Sequence, residues 1–429
     1  MSFIPSDMNE EKINKTQCQG LKWTLNHVYE NSLFYRKKLQ DSGFEPGDIT
    51  SLDDLENLPF TDKQDFLEDY PFPLRSAPME DIVRIHGSSG TTGKRKILCY
   101  TARDIDNWAN LFARCYELAG LTKQDRVQIG VGYGLWTAGA GFQNGCERLG
   151  AMAVPLGPAN VEMHIDMLLD LQTTVFCSTA SMALLLAEEI EKRNLASKIN
   201  LKTIILGAER HSLSMRNRIQ QITGAKHIHD IYGMTELYGP GTGLDCASHN
   251  GIHFWADYFI FEIIDPVTLK PLPVGEEGEL VVTTLKKEGS PLIRYRTHDV
   301  TRLIPEKCDC GNCFPKHDRI SGRTDDMFIF RAVNIYPSQI DDILNKIEDA
   351  GSEYQIHLAQ NEDGRDYMTI RVEKNADGVK GDDSDSGFAD MISREIRKKL
   401  LVRSHVELVD YGSLPRTHGK SVRVFDKRV

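Results

Sequence analysis

The sequence predicts an α/β protein with a large N-terminal domain of mainly parallel sheets and a β subdomain, followed by a small, mobile α+β C-terminal domain. Three observations predict it. Between residues 104 and 231, short apolar runs alternate with segments whose apolar residues recur at helical spacing, the pattern of a parallel sheet covered by helices. From 252 to 304 the runs are short and β-rich, with Pro and Gly turns between them. After Gly322-Arg323-Thr324-Asp325-Asp326 the pattern restarts as a compact stretch of ~100 residues, enough to fold as a unit.

Residues 9–42 read as helix, with Leu21, Trp23, Leu25 and Val28 among polar neighbours. Leu33, Phe34 and Tyr35 continue it and Gly43 stops it. A loop over 46–59 leads to Thr61-Asp62-Lys63-Gln64-Asp65, an N-cap signature for a short helix. Residues 82–85 and 97–100 read as strands flanking a loop of Ser, Thr and Gly. Ile105, Trp108, Phe112, Cys115 and Ala119 mark a helix over 104–120. Strands follow at 127–131, 151–154, 175–177, 201–206 and 228–231, with helices near 160–171, 180–193 and 212–222. The β-rich part offers strands at 253–264, 278–284 and 292–295. The last part reads as a strand, a helix from Ser338, strands at 354–359 and 367–373, a helix over 388–400 and a strand at 405–409. Asp377, Asp382, Asp383 and Asp385, among Gly and Ser, mark 376–387 as a mobile surface loop. The expected bounds are 1–322 for the first domain, with its β subdomain at about 245–315, 323–326 for a hinge and 327–429 for the second domain.

Composition narrows the function classes. With 429 residues, 40% hydrophobic and 26% charged, the chain is an ordinary soluble globular type. Its 51 Lys and Arg against 62 Asp and Glu leave a net charge of −11, so anionic partners must be held in local cationic pockets. No basic tract with interleaved aromatics suggests nucleic acid. No apolar run approaches the ~20 residues that span a bilayer, and the first residues lack the pattern of a signal peptide. Nine cysteines, scattered except for one cluster, argue for a reducing cytoplasm over a disulfide framework.

Ser88-Ser89-Gly90-Thr91-Thr92-Gly93-Lys94 combines small residues, hydroxyls and a cation between two strands, which suits phosphate oxygens. It is not a Walker loop: Ser88 stands where the first glycine belongs and Arg95 where a magnesium-binding hydroxyl belongs. Leu206-Gly207-Ala208-Glu209 ends a strand, the place where open α/β sheets bind ligands. Ile231-Tyr232-Gly233-Met234-Thr235-Glu236 ends another. Tyr232 offers a ring to a base, Thr235 a donor to phosphate and Glu236 an oxygen to Mg²⁺. Asp299, within Arg294-Tyr295-Arg296-Thr297-His298-Asp299, offers a carboxylate to ribose hydroxyls. Lys420 is a lone cation after Gly419. Each alone reads as an ordinary exposed polar side chain.

Their order carries more. In this order the motifs resemble the adenylate-forming superfamily of acyl-CoA synthetases, peptide-synthetase adenylation domains and luciferases. The chain is more closely similar to the phenylacetate–CoA ligase family, through Ser290-Pro291-Leu292-Ile293-Arg294-Tyr295-Arg296-Thr297, Val333-Asn334-Ile335-Tyr336-Pro337-Ser338-Gln339-Ile340 and the ending from Gly419-Lys420 to Arg428. The resemblance implies an AMP-forming ligase: a carboxylate attacks ATP to give an acyl adenylate and pyrophosphate, then the CoA thiol displaces AMP. It implies Lys420 at the substrate carboxylate and α-phosphate, and Lys94 with residues 88–93 at the outer phosphates. Glu236 would hold Mg²⁺, Thr235 the AMP phosphate and Asp299 the ribose. Gly207, Ala208 and Glu209, with Tyr232, Gly233 and Met234, would form the adenine end. Arg323 would touch ribose or phosphate, and Asp325 would be the hinge. It also allows a homodimer. Tyr133, Trp136, Ala138, Gly139 and Gly141 follow a strand and offer a slot for an aryl ring, so the expected acid is small and aromatic. Two residues depart from the family's habit: Arg95 where proline is frequent, and Ala332 where glycine is frequent. The other readings are a relative that passes AMP to a cofactor hydroxyl, and a non-catalytic nucleotide or acyl-CoA sensor.

Cys308-Asp309-Cys310-Gly311-Asn312-Cys313 suggests a metal knuckle in a reducing compartment. Cys246, His249 and His253 lie upstream, and some relatives carry a Cys and a His at matching places. The expected centre is a structural, tetrahedral Zn²⁺ on Cys246, His253, Cys308 and Cys310, with His249 and Cys313 in reserve.

Overall fold

The computed structural model describes residues 2–88, 94–326, 328–331, 333–347, 349–360, 366–375, 382–415 and 423–428; at 214, 329, 334, 352 and 382–384 it describes the backbone alone. The long N-terminal helix is two helices, Glu10–Asn31 and Leu33–Asp41. Ser32 between them is extended, and its side chain accepts from the Tyr35 N–H, so it caps the second helix where the first stops. The short helix expected after Thr61 is replaced by turns. Asp65 accepts from the Asp62 N–H at 2.9 Å and pairs with Lys38 at 2.6 Å, while Thr61 bonds to the strand at Arg294 and Arg296. Those contacts and the burial of Phe66 outweigh the local capping signal.

Among the described residues the main sheet has nine strands. Five run parallel in the order His227–Met234, Thr203–Gly207, Val175–Thr179, Arg126–Ile129 and Met152–Val154. Side chains alternate between two cores, as the two-residue strand period requires. Val175, Cys177 and Ile205 join the core that contains Trp108, Phe112 and Phe142 from the helices Ala102–Leu118 and Thr137–Leu149. Phe176, Ile204 and Leu206 join the core of Val161–Asp170, Ala180–Lys192 and Leu213–Thr223. Arg126–Ile129 pairs with one neighbour on each side, so the strand order reverses at its carboxyl end.

The β-rich part divides between two sheets. Gly239–Asp245, Ile252–Phe254, Lys316–His317 and Leu303–Ile304 extend the main sheet by antiparallel pairing. Phe259–Ile264, Gly278–Thr284, Tyr295–Thr301 and Gly322–Arg323 make a separate four-stranded antiparallel sheet. The expected strand over 253–264 is therefore two strands in two sheets, divided by the turn that buries Trp255.

The smaller C-terminal domain opens with the hairpin Phe328–Phe330 and Val333–Ile335 and the helix Pro337–Leu344. A four-stranded sheet follows in the order His405–Val409, Asp366–Lys374, Ala350–Gln360 and Val424–Asp426. Its core, with Phe330, Ile340, Ile356, Ile370, Ile392 and Ile396, is separate from the other two. The last helix, Asp382–Leu400, begins inside the stretch expected to be loop. Acidic residues favour the first turns of a helix, and Asp385 there pairs with Lys374 at 2.9 Å. Among the described residues no helix is long and apolar enough to cross a membrane.

Candidate active site

Three of the expected motifs converge because they follow neighbouring parallel strands. Gly207 ends one strand and Met234 ends the next, while Tyr133 and Trp136 follow the strand at which the order reverses. Tyr232 is buried and donates its hydroxyl to Asp299 Oδ2 at 2.8 Å, joining the end of the parallel sheet to the antiparallel one. Asp299 Oδ1 accepts from Arg323 at 2.5 Å, Arg323 Nε donates to Asp325 at 2.9 Å, and Lys63 reaches the other oxygen of Asp325 at 3.2 Å. Burial works against the Arg323 cation, but Asp299 and Asp325 hold it charged. The expected ribose carboxylate and the expected hinge residue thus share one guanidinium. The ring of Tyr232 meets His317 edge-on at 4.9 Å, and burial holds His317 neutral with a pKa of about 4.

Glu236 is buried directly beyond this chain of contacts. Burial alone would raise its pKa, but the Lys96 ammonium against its carboxylate and the Tyr295 hydroxyl at 3.2 Å outweigh burial and keep it ionised. Its backbone carbonyl accepts from Lys287 at 2.8 Å. Lys287 is itself fully buried, with the Tyr100 and Tyr238 rings each 4.9 Å away, and burial lowers its pKa to about 8. Tyr100 donates to the Thr235 carbonyl at 3.1 Å, and Thr235 Oγ1 lies 3.5 Å from Thr137 Oγ1, at the start of the helix Thr137–Leu149. Gly233, at φ 151°, makes this bend possible: an added Cβ would collide with the Gly239 carbonyl.

The Gly207-Ala208-Glu209 turn is strained, with Ala208 at φ 71°. Glu209 accepts from the Ser181 N–H at 2.5 Å at the start of the helix Ala180–Lys192; burial nonetheless raises its carboxyl pKa. The next residue, Arg210, crosses to the C-terminal domain, donating to the Ser338 carbonyl at 3.4 Å and pairing with Asp341 at 3.5 Å and Asp342 at 3.1 Å.

Ser88 and Lys94 flank the expected phosphate loop. Among the described residues Ser88 Oγ is buried without a hydrogen-bond partner, and the Lys94 ammonium sits 5.1 Å from the Tyr70 ring centre. Ser89, Gly90, Thr91, Thr92, Gly93, Ala332 and Lys420 lie outside the described residues. Of the expected aryl slot, Tyr133 and Trp136 are half-buried, and Gly139 lies against the Tyr133 ring. Ala138 is buried, and Gly141 admits the Phe112 ring where the helices Ala102–Leu118 and Thr137–Leu149 touch.

Lys96, Tyr295, Lys287 and Arg210 gained no role from the motifs. Their only sequence signal is position: Lys96 lies two residues after the loop lysine, Arg210 follows Glu209, and Lys287 and Tyr295 adjoin or belong to the Ser290–Thr297 motif.

Cys246, His253, Cys308 and Cys310 also come together, all four donor atoms lying within 4.8 Å of one another. Cys246 and Cys308 sulfurs are 3.4 Å apart, as are Cys310 Sγ and His253 Nε2. A carbonyl can only accept, so the 2.7 Å contact from His253 Nδ1 to Phe314 fixes the proton on Nδ1 and leaves the Nε2 lone pair facing the thiols. A tetrahedral zinc with bonds of 2.0–2.3 Å needs donor atoms about 3.5 Å apart, a spacing that these two 3.4 Å contacts match. Burial opposes a Cys308 thiolate, but contacts from Cys310 and Cys246 and the nearby Lys316 charge bring its pKa below the usual value. His249 is instead held by Asp245 at 2.8 Å and Arg216 at 3.1 Å, and Cys313 is exposed.

Residues 25–285 match the family model described as AMP-binding enzyme, and 332–428 match that of the AMP-binding enzyme C-terminal domain. Fold and site therefore define an AMP-binding enzyme with its C-terminal domain. Phenylacetate-coenzyme A ligase of Escherichia coli is 40% identical over 97% of this chain and 95% of its own length. The chain belongs to the phenylacetate–coenzyme A ligase family. Among solved structures, 2-hydroxyisobutyryl-CoA ligase in the postadenylation state with 2-HIB-AMP is 28% identical and covers 99% of this chain and 93% of its own, with a TM-score of 0.89. The same ligase in the thioesterification state with CoA, at 29% identity over 98% and 91% of the two chains, fits with a TM-score of 0.71.

Proposed function

We propose that the protein is an AMP-forming aryl-acid–CoA ligase acting on a small aromatic carboxylic acid of the phenylacetate type. The observation that carries this reading is the joining of Tyr232 to Asp299 and of Glu236 to Tyr295, motifs far apart in sequence that meet at the carboxyl end of the sheet. The relatives' activity and the AMP-binding match support the same reading. A carboxylate oxygen attacks the α-phosphorus of ATP, the bond to pyrophosphate breaks, and an acyl adenylate forms. The CoA thiolate then attacks the acyl carbon and AMP leaves. No side chain of the enzyme has to bond covalently to substrate; positioning and charge stabilisation supply the catalysis.

In this reading Asp299, oriented by Tyr232 and Arg323, accepts the ribose hydroxyls. Glu209 and the Gly207–Ala208 turn meet the adenine end. Thr235, beside the start of the helix Thr137–Leu149, faces the AMP phosphate, a placement that suits an anion. Glu236, kept ionised by Lys96 and Tyr295, is the oxygen donor for Mg²⁺, which would neutralise phosphate charge. Lys420 supplies the cation at the reacting carboxylate, and Tyr133 with Trp136 borders the aryl group. Asp325 is the hinge. The better whole-chain fit to the postadenylation-state ligase supports a domain arrangement suited to the first half-reaction. Cys246, His253, Cys308 and Cys310 hold a structural Zn²⁺.

Pyrophosphate release across a panel of acids, with and without CoA, tests the reading. Release with aryl acids and CoA-dependent AMP formation are expected. Adenylylation of an alcohol acceptor, or nucleotide binding without pyrophosphate release, would replace it. Lys420→Ala should slow adenylation on the order of 100-fold and spare thioester formation from supplied acyl adenylate.

A further inference from the structure

Lys316 is an anomaly in the fold. It is 2% exposed on the two-residue strand Lys316–His317, yet its ammonium has no hydrogen-bond partner among the described residues. A buried cation without a partner is costly. The strand register sets Lys316 directly opposite His253. His253 is one of the four gathered donors.

The charges of the expected centre explain the residue. A divalent ion held by three thiolates and one neutral imidazole carries one net negative charge. Four ligands fill the tetrahedron, and the excess charge sits on sulfur. We infer that Lys316 is the charge partner of this metal–thiolate centre, its ammonium neutralising the excess anion. The inference rests on the zinc reading above and adds to it a residue that is not a ligand. It also sets an order of formation: the lysine is unfavourable before the ion binds and favourable after. The centre thus stabilises its strand by more than the ligand bonds alone.

The test compares full-length wild type, Lys316→Met and Lys316→Arg, each zinc-loaded and each stripped with a chelator. Zinc content, the rate of zinc release to a chromogenic chelator and the melting temperature are read. Expected are about one equivalent of zinc in wild type, release accelerated about 10-fold or more in Lys316→Met, consistent with removal of a charged group set beside the ligands, and near-normal release in Lys316→Arg. The stripped Lys316→Met protein should melt above stripped wild type, while the loaded variant melts below loaded wild type. Equal release rates and a methionine effect of the same sign in both states would overturn the role of Lys316. Absence of zinc from wild type would overturn the metal reading itself. In that case Lys316→Met would stabilise the only form that exists.

Discussion

Lys96 lays its ammonium against the carboxylate of Glu236, a residue with 2% of its surface exposed. The pair lies where the proposed chemistry needs one anionic oxygen, so the lysine protects that charge before nucleotide arrives. Lys96→Met would strand a buried carboxylate. It is expected to destabilise the fold by about 2–3 kcal/mol, below the cost of a fully buried pair because the lysine is partly exposed. Urea melts of Lys96→Met and of the double variant with Glu236→Gln check this. The double variant should regain most of the loss.

Tyr232 holds Asp299 by one oxygen while Arg323 holds it by the other. Tyr232→Phe removes one hydrogen bond, worth about 1 kcal/mol, from the carboxylate proposed to bind ribose. The KM for ATP should rise about 5-fold with kcat nearly unchanged. A fall in kcat at constant KM would assign the hydroxyl to another task.

Arg210 couples the turn that carries Glu209 to the helix Pro337–Leu344 through Asp341 and Asp342. These are partly exposed pairs, so the expected effect is modest. Arg210→Ala should slow pyrophosphate exchange about 3- to 5-fold and leave thioester formation from supplied acyl adenylate unchanged or faster. Arg210→Glu with Asp342→Lys should recover exchange relative to Arg210→Glu alone. Equal slowing of both half-reactions would reduce the contact to a structural one.

Glu279 provides a pH signature. Burial would raise its pKa from 4.5, but His298 and Arg296 outweigh burial and bring it to about 2. Its folded pKa lies below its unfolded value, so its contribution is present above pH 4.5 and fades as pH falls towards 2. That contribution is about 3 kcal/mol as an order of magnitude. Glu279→Gln should therefore be less stable than wild type at pH 6, and the gap should close with acidification in denaturant melts.

The alternation of strand and helix was readable from 104 to 231 because central strands such as Val175–Thr179 and Thr203–Gly207 are buried on both faces and the helices between them are amphipathic. Local signals failed where distant contacts intervened. Thr61 looked like a helix cap, but its backbone pairs with the strand at Arg294 and Arg296. Ser32 looked like mid-helix, but its side chain caps the next helix. The site divides the same way. Glu236, Tyr232 and Asp299 carry recognisable neighbours in sequence, whereas Lys96, Lys287 and Arg210 owe their places to the fold and have no local pattern to betray them.

The nine-stranded sheet ends on both sides in very short strands: Leu303–Ile304 at one margin and Met152–Val154 at the other. Neither margin presents enough consecutive free backbone to template a stranger's chain. A broad, apolar platform can therefore sit in crowded solution without recruiting copies of itself edge to edge.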